Sequence, residues 1–314
     1  MNVKCLAAIL CVWAMAGCGG TTGAVGGNSG MLPGPAPAAR AAKTATITCV
    51  VGTLDASYPN ACTGSPFNSP FDVAVDAKRN VYVADTGNNA IEMITPQGKL
   101  TCIAATTGSD GICSNSVFNG PGGVAVDARG NVYVADSGSA RILEVLAPLR
   151  APWKVKQLGS SFAFVLPQKI AVDTKGDVYV VDTNTNGAYE IAAHGAVACI
   201  AGAGSGCPKS HLTAPAAVAV DGAGNVYIPD AGSGEIFRLT TKHKVIVLAT
   251  GFASPGGIAV DSKCKTACRV YVADTNHNEI DAVTGKTGLP IVGPQFCGAG
   301  TCDFQGPRGV AVQF

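Results

Sequence analysis

Apolar residues fall in runs of three to five along most of the chain, and Gly, Asn, Asp and Ser fill the gaps between them. Between residues 73 and 104 the runs are Val73–Val75, Val81–Ala84, Ile91–Ile94 and Leu100–Ala104. Short runs rich in Val, Ile and Tyr and bounded by turn formers predict strands. The first run of each set is apolar at successive positions, the pattern of a strand covered on both faces. The set of four then recurs. Val73-Ala-Val-Asp76 with Asn80-Val-Tyr-Val-Ala-Asp85 returns as Val124 to Asp127 with Asn131 to Asp136, and as Ile170 to Asp173 with Asp177 to Asp182. It returns again as Val218 to Asp221 with Asn225 to Asp230, and as Ile258 to Asp261 with Arg269 to Asp274. A sixth opening, Gly309-Val-Ala-Val-Gln313, stands at the end of the sequence. The first Asp recurs after 51, 46, 48 and 40 residues, and a period of about 40–50 residues means a solenoid, propeller or array.

The link between the first two runs reads Asp-x-x-Gly-Asn in units two and four, and Asp-x-x-Gly-Asp in unit three. Its glycine (Gly130, Gly176, Gly224) suits the positive φ of a short hairpin. Unit one has Arg79 there, which implies a strained or differently turned version, and unit five inserts Cys264 to Cys268. Pro229 closes a second strand, where a missing N–H is tolerated better than mid-strand.

The phrase Pro-x-Gly-(Val/Ile)-Ala-Val-Asp, then Gly-Asn-Val-Tyr-Val-Ala-Asp, then Thr-Gly-Asn-Asn or a relative, resembles the NHL repeat, a blade of β-propellers. The resemblance covers residues 45–314 and implies an all-β fold: a β-propeller of NHL-type four-stranded blades, five complete and a partial sixth split between the termini. Thr46–Val51 looks like an outermost strand and Val310–Val312 like an innermost one. A blade built from these two would lack its middle strands. Either the sixth blade is incomplete, or five blades close the ring and the extra strands lie at the seam.

Composition adds an address. Lys4 is followed by an apolar stretch, Leu6 to Ala16, too short for the ~20 residues that span a bilayer but suited to a secretory signal. It ends in Met15-Ala16-Gly17-Cys18, which resembles the lipobox of bacterial lipoproteins. The resemblance implies that residues 1–17 are a signal peptide and that Cys18 is lipidated as the mature N-terminus. Gly rather than Asp at residue 19 points to the outer membrane. Residues 18–44, dominated by Gly, Ala and Pro, read as a flexible tether. With 22 Lys+Arg against 21 Asp+Glu the net charge is +1, which argues against a nucleic-acid partner.

Thirteen cysteines are many for a reducing compartment. After Cys18 ten remain, in near-neighbour pairs: Cys49 and Cys62, Cys102 and Cys113, Cys199 and Cys207, Cys264 and Cys268, Cys297 and Cys302. Even parity in an exported chain predicts disulfides, and zinc is disfavoured because no Cys-x₂-Cys occurs. Of 16 Asp, ten are the repeated ones, and an Asp at a strand end caps a turn through backbone N–H groups. All five Glu lie on or beside third strands. No two of the four histidines share a metal-ligand spacing, and no Gly-x-Ser-x-Gly elbow is present.

The sequence therefore implies no cofactor, no metal and no catalytic residue. NHL propellers frequently bind protein, peptide or glycan on one face, so the expectation is a membrane-tethered, non-catalytic binding or scaffold module. The alternative is a propeller enzyme of lyase or lactonase type with a metal at the central channel. That would need one unit to break the repeat with a ligand on its innermost strand, and all five read (Val/Ile)-Ala-Val. The loops leading into the first strands and those joining second to third strands emerge on one side. On that side Phe71, Asp72, Gln168, Lys169 and Arg308 stand where the repeat has small residues, and His277 lies in a Thr-Asn-His-Asn loop. These are the candidate ligand-binding residues.

Overall fold

The computed structural model describes residues 10–11, 53–54, 62–63, 67–107, 113–202, 207–208, 212–242, 244–261, 263–266, 268–284, 287–292 and 310–312. Five four-stranded antiparallel blades follow one another, and a single parallel pairing of Thr250 with Thr287 joins the outermost strands of the last two into one sheet. Blade 1 is Pro70–Val75, Val81–Asp85, Ala90–Ile94 and Leu100–Ile103. Blade 2 is Gly123–Val126, Val132–Asp136, Arg141–Val145 and Val155–Leu158. Blade 3 is Pro167–Val172, Val178–Asp182, Gly187–Ile191 and Val197–Ala201. Blade 4 is Ala219–Val220, Val226–Asp230, Glu235–Leu239 and Val245–Thr250. Blade 5 is Pro255–Val260, Val270–Asp274, Glu279–Thr284 and Thr287–Val292. The blades stand in a ring with the first strands innermost, which is a β-propeller.

The sheets pack face to face through apolar side chains, and the core lies between blades. Tyr82, Ala84 and Ile91 of blade 1 meet Val124, Val134 and Leu143 of blade 2. Ala135 and Ile142 of blade 2 meet Ile170, Val180 and Tyr189 of blade 3. Val181 and Ala188 of blade 3 meet Ile228 and Phe237 of blade 4, and Ile236 of blade 4 meets Ile258 and Val272 of blade 5. The second strands of blades 1 to 4 are buried along their whole length.

The repeated polar residues build the turns. Asp76 Oδ1 accepts from the backbone N–H of Lys78 and Asn80, and its Oδ2 accepts from Asn80 Nδ2 and Tyr82 Oη. Asp127 and Asp221 do the same. Burial, then the adjacent carboxylates, hold the Tyr82 and Tyr133 hydroxyls above their ordinary pKa, so they remain donors. The hairpin glycines adopt φ of +86°, +92° and +86° at Gly130, Gly176 and Gly224, and Arg79 takes the same turn at +69°. Unit one thus keeps the geometry and bears the strain. The second repeated Asp (85, 136, 182, 230, 274) caps the loop that leads into its own blade, as where Asn68 N donates to Asp85 and Asn119 N to Asp136.

Ala311–Val312 lies against the inner strands of blades 5 and 1, at the place of a sixth innermost strand. It pairs in parallel with Leu10–Cys11, inside the segment read above as a signal peptide. The expected strand Thr46–Val51 lies outside the described residues. Thr53–Leu54 pairs with Cys62–Thr63 in a hairpin ahead of blade 1. Disulfides join Cys102 to Cys113, Cys199 to Cys207 and Cys264 to Cys268. The pairs Cys49–Cys62 and Cys297–Cys302 involve residues outside the described set. Among the described residues no helix is long and apolar enough to cross a membrane.

Candidate functional site

The Val/Ile-Ala-Val triplets of all five blades, with Val310, wall a central cavity of about 180 Å³. On the side of the lead-in loops its lining includes Asp72, Lys169, Ala217 and Gly257. There two of the residues that break the small-residue pattern, Lys169 and Asp72, meet across the ring. Lys169 Nζ lies 2.8 Å from Asp72 Oδ1, 3.0 Å from the Phe71 carbonyl oxygen and 4.6 Å above the Phe71 ring. Asp72 Oδ2 accepts from Val124 N at 3.1 Å. One buried cation therefore ties blade 3 to blade 1, and one carboxylate ties blade 1 to blade 2. Lys169, a candidate ligand-binding residue in the sequence, is 4% exposed. Three of the candidate residues, Phe71, Asp72 and Lys169, come together as this clip.

Gln168 lies beside them. Its carbonyl oxygen is so close to blade 2 that a Cβ on Gly123 would approach it to 2.6 Å, which is why that position is glycine. Arg308 and Cys18 lie outside the described residues. Around the clip, the loops joining second to third strands expose Asn89, Ser139, Asn184, Ser233, Asn276 and His277.

His277 does not stand alone. Its Nδ1 lies 2.8 Å from Asp274 Oδ2, with the imidazole 53% exposed and Asp274 1% exposed. The hydrogen bond to Asp274, then its charge, raise the His277 pKa above the ordinary value. Glu279 offers a third ligand-type atom within 4.8 Å of the other two. Asp281, two residues further along the strand, is buried, and its Oδ1 has no hydrogen-bond partner. Burial first, then Glu279 and Asp274, push the Asp281 pKa up to about 6.

A related corner exists in blade 1. Glu92 is 1% exposed, its Oε2 has no partner, and Cys113 Sγ of a disulfide lies 3.4 Å from its Oε1. Burial, then the charge of Asp85, push its pKa up to about 8. Sequence reasoning set Glu92 aside with the other third-strand glutamates and gave Asp281 no role. The signal was available in the third strands, where blades 2, 3 and 4 carry Leu143, Tyr189 and Phe237 at the matching place.

Residues 67–92 and 118–144 match the NHL repeat. Over 105 residues the chain is 34% identical to human (Homo sapiens) NHL repeat-containing protein 2; the match takes in 31% of this chain and 13% of that protein. Among solved structures, a streptogramin B lyase is similar at a TM-score of 0.54 and 14% identity, over 74% of this chain and 72% of that one. A catalytically inactive virginiamycin B lyase from Staphylococcus aureus with quinupristin gives 0.54 at 13% identity, over 73% and 72%. A chain of a nidogen/laminin complex gives 0.55 at 20% identity, over 74% and 83%. At these identities the structural likeness bears on fold alone, and it defines the class: an all-β propeller of four-stranded blades. Within that class, the repeats at residues 67–92 and 118–144 are of NHL type.

Proposed function

We propose that this propeller is an exported, lipid-anchored binding or scaffold module, holding a protein, peptide or glycan on the rim that surrounds the Lys169–Asp72 clip. The clip supports this reading most. A buried ion pair and an aromatic ring occupy the lead-in end of the central cavity, and its remaining walls are aliphatic. A reacting group would enter a lining with little to polarise it. The surrounding tips are amides, hydroxyls and one imidazole on a rigid ring, where recognition residues concentrate. A similar fold in a lyase and in a nidogen/laminin complex is compatible with either role, because a fold hosts many functions.

The test is site-specific photo-crosslinking in intact cells from Asn184 or Asn276 on the rim, and from Lys78 or Arg129 on the opposite face. One recurrent partner captured from the rim positions alone is the expected result. Equal capture from both faces sinks the assignment, as does metal-dependent turnover of a lactone or cyclic depsipeptide. The anchor rests on Met15-Ala16-Gly17-Cys18. Cys18→Ser should abolish processing at residue 18 and release the protein from membranes, outer membranes foremost. Unchanged fractionation would refute the anchor without touching the rim.

A further inference from the structure

We propose that the corner of blade 5 formed by Asp274, His277 and Glu279, with Asp281 buried on the same face of the sheet, binds one divalent transition-metal cation of the Zn²⁺ type. The ligand-type atoms of Asp274, His277 and Glu279 lie within 4.8 Å of one another, so a small side-chain adjustment brings all three within reach of a single ion. Metal–ligand bonds of about 2.0–2.2 Å place neighbouring ligand atoms roughly 3 Å apart, and His277 Nδ1 and Asp274 Oδ2 are already 2.8 Å apart.

Asp281 supplies an independent observation. It is 4% exposed and its Oδ1 has no hydrogen-bond partner. A buried carboxylate oxygen without a donor is costly unless something cationic answers it. Asp274 pairs with Glu279 and Val272 with Asp281 in the sheet register. Alternation along the strand therefore puts Asp274, Glu279 and Asp281 on one face. The three gathered donors run from the exposed imidazole through half-buried Glu279 to buried Asp274, a graded path for an ion entering from solvent, and Asp281 adds a buried carboxylate on the same face.

The other blades show that the fold does not demand this set. Each needs an Asp at the end of its second strand as a cap, and that alone accounts for Asp274. At the place of His277 they carry Asn88, Ser139, Thr185 and Ser233. At the place of Glu279 they carry Ala90, Arg141, Gly187 and Glu235. Imidazole nitrogen beside carboxylate oxygen selects zinc-like ions, whereas calcium and magnesium prefer oxygen alone. Binding displaces the proton that His277 Nδ1 and Asp274 share.

Chelator-treated full-length mature protein, titrated calorimetrically with Zn²⁺ alone, should take up one saturable equivalent. In the same titration the ring resonances of His277, assigned by their loss in His277→Gln, should shift while those of His194 stay in place. His277→Gln should weaken binding at least tenfold and Asp281→Asn severalfold, with circular dichroism and metal-free melting showing both variants folded. Millimolar Ca²⁺ or Mg²⁺ should not compete. No saturable equivalent, unmoved His277 resonances, undiminished binding in either variant, or displacement by Ca²⁺ would each overturn the site.

Discussion

Glu92 occupies the place that holds Leu143, Tyr189 and Phe237 in the three following blades, so a carboxyl sits where the fold wants apolar bulk. Burial, then Asp85, lift its pKa from 4.5 to about 8. The native state therefore binds a proton that the unfolded chain has released. Stability linked to this group is fully present below about pH 4.5 and is lost as pH rises through about 8. At roughly 1.4 kcal/mol per pKa unit the loss is on the order of a few kcal/mol. Glutamine has the shape and donor capacity of the protonated acid. Glu92→Gln should accordingly melt higher than wild type at pH 8.5, match it near pH 5, and flatten the profile between. A variant parallel to wild type across that range would show that Glu92 is not the titrating group.

At the scale of the element, the repetition provides its own controls. The hairpin between first and second strands places Arg79, Gly130, Gly176 and Gly224 at positive φ in four blades. A side chain there costs about 1–2 kcal/mol, less what glycine loses through the freedom of the unfolded chain. Arg79→Gly should stabilise by up to about 1 kcal/mol, and Gly224→Ala should destabilise by a similar amount. Equilibrium denaturation reads both, and the same sign for the two would refute the shared turn. The turn was legible in the sequence because glycine spacing and Asp-x-x-Gly-Asn follow local rules, as were strand order and blade count. The candidate site was less legible. Lys169 and Asp72 stand 97 residues apart, and no local pattern says that two departures from the repeat will meet across a ring. His277 likewise read as a lone histidine, because its partners reach it through strand register rather than through a ligand spacing.

For the whole molecule, the question is what keeps a ring of blades from opening at its centre. Neighbouring blades share apolar faces, but blades 1 and 3 are not neighbours, and Lys169 spans them. Its side chain is 6% exposed and that of Asp72 15% exposed. Removing one charge leaves the other uncompensated in a poorly solvated place, which typically costs about 3–5 kcal/mol. Replacing both by uncharged groups of similar volume is often close to neutral. Asparagine at residue 72 keeps an oxygen for Val124 N, and methionine at 169 keeps the aliphatic stem over the Phe71 ring. Lys169→Met alone should therefore lower stability by about 3 kcal/mol, a fall in Tm of roughly 6–12 °C for a domain of this size. Adding Asp72→Asn should recover more than half of it. The double-mutant cycle isolates the pair from the packing that each residue also provides. An equal cost of Lys169→Met with and without Asp72→Asn would mean that the two charges are not coupled, and that apolar packing between neighbouring blades holds the ring closed.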